Sequence, residues 1–413
     1  VYRERLCRGT HRDKERPILI NNWEATYFDF NNEKIKEIAK ESSKLGIELF
    51  VLDDGWFGER NNDDCSLGDW FVNEEKLKGG LNSLATDINK MGMQFGLWFE
   101  PEMISPKSKL YEEHPDWCIH IDGRIRSEAR KQLILDLSRD EVCEAVIKMI
   151  TDVLKSAPIS YVKWDMNRNM TEIGSTAWPA KKQKEIAHRY MLGLYKILEN
   201  ITSNFPNILF ESCSGGGGRF DGGMLYYMPQ TWTSDDTDAI ERLMIQEGTS
   251  LVYPTSSMGS HVSAVPNHQV HRSTPLNTRG VVAMAGSFGY ELDVTKMNEE
   301  EKEEVKKQVE FYKNIRSTVQ FGDLYRLKSS FDSNEAAWMN LSKDGKEVVV
   351  SYVKKYAEAN VIPRRLKVKA LDENSLYEVI ETGEVFGGDE LMYIGLEIGE
   401  LMGVYQAKNW TLR

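Results

Sequence analysis

Residues 159–167, ISYVKWDMN, run from an apolar strand-like start into Lys163, Asp165 and Asn167. While a strand persists, alternation puts these three side chains on one face. A fixed cation near a carboxylate lowers its pKa and keeps it ionised at neutral pH, which suits a nucleophile. A Lys–Asp pair that merely closes a strand fits this segment equally well, so the sequence on either side has to decide.

Working outward, short apolar runs alternate with helical patterns from about residue 17 to about residue 320, the rhythm of βα units feeding a parallel sheet. The runs are PILINNW (17–23), ELFVLDD (48–54), MQFGLWFE (93–100), QLILDLS (132–138), ISYVKWDMN itself, NILFESCS (207–214) and PQTWTSDD (229–236), with an eighth around VVAMAGS (281–287). Between the first two, Ile35, Ile38, Ala39 and Leu45 recur at helical spacing, and Gly46 can close that helix in a left-handed conformation. Eight such units predict a (β/α)₈ barrel over residues 1–324, close to the about 250 residues such a barrel takes plus extensions. The charged amphipathic segment 298–319 reads as its last helix. Beyond about residue 325 the pattern turns to alternation, as in EVVVSYVKK (347–355) and RRLKVKAL (364–371), with turn signals between. Residues 325–413 are therefore expected to form a small antiparallel β-sandwich.

Many runs end in a polar or acidic residue: Asn21 and Asn22, Asp53 and Asp54, Glu100, Asp136, Asp165, Glu211 and Asp235. In a barrel the C-terminal strand ends share one mouth, so these side chains would converge although far apart in sequence. Strand-ending Asp and Asn also cap turns and helices, and Asp136, just before Ser138 and a strong helix, reads that way.

The composition narrows what the mouth could hold. A formal charge of −12 argues against nucleic acid or an anionic membrane as partner. Ten Trp suit a site that stacks sugar rings, although most Trp serve cores. The five cysteines are scattered without CxxC spacing, which predicts neither a disulfide framework nor a zinc knuckle and favours a reducing, cytoplasmic setting. No apolar run reaches the roughly 18 residues of a membrane span. The start, VYRERLCRGTHRDKERP, is basic and polar, with no apolar signal core; because it opens on Val, a missing upstream segment is expected.

Three further segments carry chemistry. TWTSDDTDA (231–239) crowds Asp235, Asp236 and Asp238; like charges disfavour one another, so one should hold its proton and could donate it to a leaving group. Asp238 equally suits the positive start of the following helix. LDDGWF (52–57) presents adjacent carboxylates that can accept hydrogen bonds from vicinal sugar hydroxyls, and a carboxylate at an open mouth would have little packing role. They could also hold a divalent metal, but no HxH or HxxxH pair accompanies them, so neither metal nor other cofactor is expected. ESCSGGGGRFDGG (211–223) lacks the GK[ST] ending of a phosphate loop, so its four glycines read as a close backbone approach. No histidine stands in a recognisable relation to Ser212 or Cys213, which argues against acyl transfer.

Taken together, LDDGWF, GLWFEPEMISPKS (96–108), KWDMNRN (163–169), the run 211–239 and YPTSSMGSHVSAVPNHQ (253–269) resemble, in order, the α-galactosidases of glycoside hydrolase family 36. The resemblance implies a retaining double displacement on α-galactoside oligosaccharides of the melibiose and raffinose type, with Asp165 as nucleophile and Asp235 as acid/base. It implies that Asp53 and Asp54 grip O4 and O6 of the galactosyl unit, and that Trp98, Arg130, Lys163, Asn167, Cys213 and Gly215 line the same subsite. Members of the family carry an N-terminal β-sandwich domain ahead of the barrel, so the chain is expected to be a fragment, a processed product or a separately encoded catalytic part, and a homo-oligomer when that domain is present. Other retaining α-glycosidases, transglycosylases of the raffinose-synthase type and a catalytically silent galactose-binding fragment are the competing readings.

Overall fold

The computed structural model describes residues 1–360 and 362–413. Eight strands close a parallel barrel: β1 (Leu19–Asn21), β2 (Leu49–Leu52), β3 (Gln94–Phe99), β4 (Tyr161–Trp164), β5 (Leu209–Ser212), β6 (Gln230–Trp232), β7 (Met258–Ser263) and β8 (Ser287–Glu291). Neighbours in sequence are neighbours in the sheet, and β8 pairs with β1 to close it. Leu19, Leu49, Val51, Tyr161 and Leu209 form a separate apolar cluster, while the main core lies between strands and helices.

The helices form for the reasons their sequences give. Asn32–Lys44 starts where the Asn31 side chain accepts from the Lys34 N–H, buries Ile35, Ile38 and Ala39, and is followed by Gly46 at φ +83°. Glu299–Phe321 opens with a reciprocal bond pair between Asn298 and Glu301 and packs Val305, Val309, Tyr312, Ile315 and Val319 inward. Its charged residues stay outside, as the sequence pattern requires.

Two of the eight expected strands fall elsewhere. QLILDLS does not join the barrel; Leu133–Ile134 pairs antiparallel with Met103–Ile104 inside the long excursion between β3 and β4. VVAMAGS ends the helix Leu276–Ala283, and the eighth strand begins only at Ser287. The unexpected strand is β7, MGSHVS, which is wholly buried although four of its six residues are Gly, Ser or His. Most of its polar side chains find partners inside: Ser260 Oγ donates to Gln246, and His261 Nδ1 meets Glu291 Oε2 at 3.1 Å, while His261 Nε2 is buried without one.

After Phe321 the chain enters an antiparallel sheet of β9 (Asp323–Lys328), β10 (Glu335–Leu341), β11 (Val348–Lys354), β12 (Leu376–Val379), β13 (Glu384–Gly387) and β14 (Gln406–Leu412). Its order is β9-β10-β11-β14-β12-β13, with a two-stranded ribbon, Arg365–Leu366 with Leu396–Glu397, beside it. This sheet packs on the barrel through Ala336, Val353 and Ala407 against Leu243, Val281 and Val282. Among the described residues no helix is long and apolar enough to cross a membrane.

Candidate active site

Strand ends of the barrel deliver the site. Asp165 is the first residue past β4, held there because its N–H donates to Phe99 O at 2.7 Å. Four N–H groups face its carboxylate: Trp98 Nε1 (3.1 Å) and Asn167 Nδ2 (2.9 Å) at Oδ2, the Met166 N–H (2.8 Å) and, at 3.4 Å, the Gly215 N–H at Oδ1. This is a surround built for negative charge.

Lys163 lies on β4 but does not contact Asp165. Its Nζ donates to Asp53 Oδ2 at 3.1 Å. Strand geometry ends at Trp164, so alternation no longer governs Asp165, and the long Lys163 stem crosses the mouth to the end of β2. Burial alone would neutralise this lysine; Asp53, then Cys213, Glu291 and Asp165, hold its pKa well above the usual value.

Asp53 is wired from three sides. Asn21 Nδ2 donates to Oδ2 at 2.6 Å, the Asp53 N–H donates to Asn22 Oδ1, and the Asp54 N–H donates to Oδ1. Asp54, only 5% exposed, is gripped by the Arg60 guanidinium, with Nε 3.0 Å from Oδ1 and Nη2 2.8 Å from Oδ2. Arg60 is itself 1% exposed. The expectation that Asp54 has little packing role is therefore overturned: it is half of a buried ion pair. Burial pushes its carboxyl up, Arg60 opposing.

Asp235 stands on the far wall, on the exposed rim past β6, with Oδ1 accepting from Trp232 Nε1 at 3.0 Å. Its carboxyl is raised above the usual range by surrounding protein and then by the negative charge of Asp165. The expected cause, crowding by Asp236 and Asp238, is not the leading one. Asp238 caps the helix Ala239–Ser250 by accepting from Ile240 N and Glu241 N, and pairs with Arg272; Asp236 accepts from the Asp238 N–H.

Between the walls runs the glycine-rich segment. Gly216 sits at φ +83°, and a Cβ there would lie 2.5 Å from Ser234 Cα and 2.8 Å from Asp235 N. Here the backbone of one loop rests directly on the backbone of the next, which only glycine permits. One residue earlier, the Gly215 N–H also donates to Asn167 Oδ1 at 3.1 Å. Arg219 anchors the segment through two bonds to buried Glu102, at 2.8 and 2.7 Å.

Asp53, Asp54, Trp98, Arg130, Lys163, Asp165, Asn167 and Asp235 all line one recess of about 590 Å³, its open part included. Cys213, which is buried, and Gly215, which is exposed and turns its N–H toward Asp165, adjoin Asp165 but are not part of that lining. The Cys213 thiol is buried and pushed well up by burial and the neighbouring Asp165. Asp136 is outside the site, bonded to Ser138 and Ser175. Sequence reasoning missed Trp23, Glu24, Trp232, Thr237, His268, Gln269 and Glu291, which complete the recess. Glu24 Oε1 accepts from Thr237 Oγ1 at 2.7 Å and lies 3.4 Å from His268 Nδ1, tying the rim near Asp235 to the β1 side. Among the described residues no group of three or more His, Cys, Asp or Glu side chains is placed to hold a metal ion.

The Melibiase family profile matches residues 1–322, and that of the Glycosyl hydrolase family 36 C-terminal domain matches residues 335–412. The chain belongs to glycoside hydrolase family 36. Among its relatives in that family, alpha-galactosidase AgaA of Geobacillus stearothermophilus is 62% identical over the whole chain, and alpha-galactosidase Mel36A of Lactobacillus acidophilus is 52% identical. The chain spans 56% of the length of each. The crystal structure of AgaA superposes on all of this chain with a TM-score of 0.98 at 63% identity, the chain covering 57% of it. Structures of AgaA variants in complex with raffinose and with stachyose also match at a TM-score of 0.98.

Proposed function

We propose that this family 36 chain is the catalytic portion of a retaining α-galactosidase that removes terminal α-D-galactosyl residues from oligosaccharides of the melibiose, raffinose and stachyose type. The observation that carries the reading is one recess holding two carboxyl groups in opposite settings. Asp165 is surrounded by N–H donors, while Asp235, though its residue stands at the rim, has its carboxyl raised by the protein packed around it and by the charge of Asp165. Glycoside hydrolysis with retention needs one carboxylate to attack and one acid to protonate the departing oxygen.

In this reading Asp165 attacks the anomeric carbon, and the glycosidic C–O bond breaks as Asp235 gives its proton to the leaving oxygen. Asp165 is then an ester and carries no charge. One leading cause of the raised Asp235 pKa disappears at that moment, so Asp235 becomes able to take a proton from water in the second step. Asp53, held by Asn21 and Lys163, and Asp54, held by Arg60, offer oxygens to two hydroxyls of the galactosyl ring. Hydrolysis of raffinose-type substrates agrees with the names of the relatives and the sugars bound to AgaA. A reducing compartment suits the five free cysteines. A proton NMR time course with an aryl α-galactoside tests the reading: first-formed α-galactose supports it. β-Galactose first, or faster cleavage of the α-glucoside, defeats it.

A further inference from the structure

Glu100 follows β3 directly and is fully buried, yet among the described residues it makes no ion pair. Its Oε1 accepts the Asn167 N–H at 2.6 Å and its Oε2 accepts Gln132 Nε2 at 3.2 Å, both neutral donors. Two residues on, Glu102 supplies an internal control. It is equally buried, but Arg219 forks onto it and Tyr190 and Trp164 donate to it, so despite burial its carboxyl is held below the usual range. Glu100 has no such compensation, and a buried charge without a partner is costly enough that the group neutralises instead.

Its surroundings admit both protonation states. The Gln132 amide presents an N–H to the carboxylate; turned over, it presents Oε1, which has no partner now, to an acidic O–H. The charges facing Glu100 are Asp165 past β4, which disfavours ionisation, and Arg60 past β2 and Arg130 in the β3–β4 excursion, which favour it. Arg60 is already engaged by Asp54, and Arg130 is exposed. The link to chemistry is Asn167, whose N–H rests on Glu100 while its Nδ2 donates to Asp165 and its Oδ1 accepts from Gly215.

We propose that Glu100 is a positioning residue that stands as a neutral carboxylic acid beneath Asp165, so that the two together hold one negative charge, and that its ionisation disorders the Asn167 support and ends activity at alkaline pH. The proposal rests on Asp165 being the nucleophile. Burial and then Asp165 push Glu100 up to about 8, which sets the window. A folded pKa above the unfolded one means that stability is full below the unfolded value and declines until pH passes the folded value.

The experiment compares the parent chain with Glu100→Gln, the uncharged isostere. Melting temperatures between about pH 5 and about 9 should show the variant gaining on the parent as pH rises. A gap that stays constant, or one that closes, overturns the proposal and marks an ordinary buried carboxylate. Should Glu100→Gln fail to fold, Asp165→Asn in an Asp235→Ala background must weaken the alkaline decline of stability, and an unchanged decline overturns the proposal. Activity is read in the Asp235→Ala background, where an activated aryl galactoside needs no acid. Aryl release should fall ~tenfold per pH unit above about 8, and adding Glu100→Gln should remove that fall. A limb that survives the substitution overturns the proposal. No release from Asp235→Ala at any pH defeats the galactosidase reading instead, and the melting curves still judge Glu100.

Discussion

The two walls of the recess are built on opposite terms. On the β1–β4 wall, Asp53, Asp54 and Asp165 are all buried and each is fixed by several donors. On the β6–β7 wall, Asp235 stands exposed at the rim with one side-chain donor, Trp232, and its local backbone is steadied by Gln269, which donates to Asp235 O at 3.0 Å. The difference suits a division of labour. In the proposed mechanism, charge that must sit still while a ring is gripped and attacked is enclosed by fixed dipoles, whereas the group that gives up and regains a proton keeps access to solvent.

Substitutions can break that comparison, and the largest expected effect comes from the enclosed wall. Asp165→Ala should lose on the order of 10⁵–10⁶-fold in kcat with any leaving group, as when a nucleophile is deleted elsewhere. Asp235→Ala should lose roughly 10²–10⁴-fold on raffinose-type oligosaccharides but far less in glycosylation by an aryl galactoside, which needs no proton. Azide separates the two walls by stereochemistry. It should yield β-galactosyl azide with Asp165→Ala and α-galactosyl azide with Asp235→Ala, and the reverse pairing would exchange the roles.

Asp54→Asn sharpens the contrast on stability. Because it breaks a buried ion pair, it should cost about 3–5 kcal/mol of folding free energy along with galactose affinity. Calorimetry and a thermal melt on the same sample check this; intact stability with lost binding would mean that Arg60 does not depend on Asp54. The smallest expected effect is Gly216→Ala, which must push the Ser234–Asp235 backbone away. It should lower kcat by about 10²-fold with little change in KM, the scale of a 1 Å misplacement. A loss confined to KM would show that the glycine serves binding alone.

The same contrast explains what was legible in the sequence. Asp53, Asp54 and Asp165 end apolar runs, and such runs announce buried strands, so the enclosed wall could be read directly. β7 could not, because a strand of Ser, Gly and His is buried by finding partners such as Gln246 and Glu291 that lie far away in sequence. QLILDLS misled for the converse reason: its apolar side chains join the main core, but its backbone pairs within the β3–β4 excursion and not with a barrel strand. Arg60 looks like any loop arginine until the fold folds it under Asp54. Glu24, His268 and Glu291 reach the recess only through tertiary contacts, and no local pattern marks them. The sugar grip and the catalytic pairing of Asp165 with Asp235 are what the family resemblance implies, and spacing alone left both open.

The meeting of Gly216 with Ser234 and Asp235 bears on how far this enzyme class can be re-engineered. Gly215 touches Asp165 and Gly216 touches the segment bearing Asp235, so the span between the two carboxyl groups is made of main chain, one peptide thickness against another. Side chains can be exchanged to retune a pocket's taste for sugars, but a gauge cut in backbone does not stretch by such exchanges. In the proposed mechanism, admitting a water between the acid and an intact nucleophile calls for inserting or deleting residues in the glycine run itself.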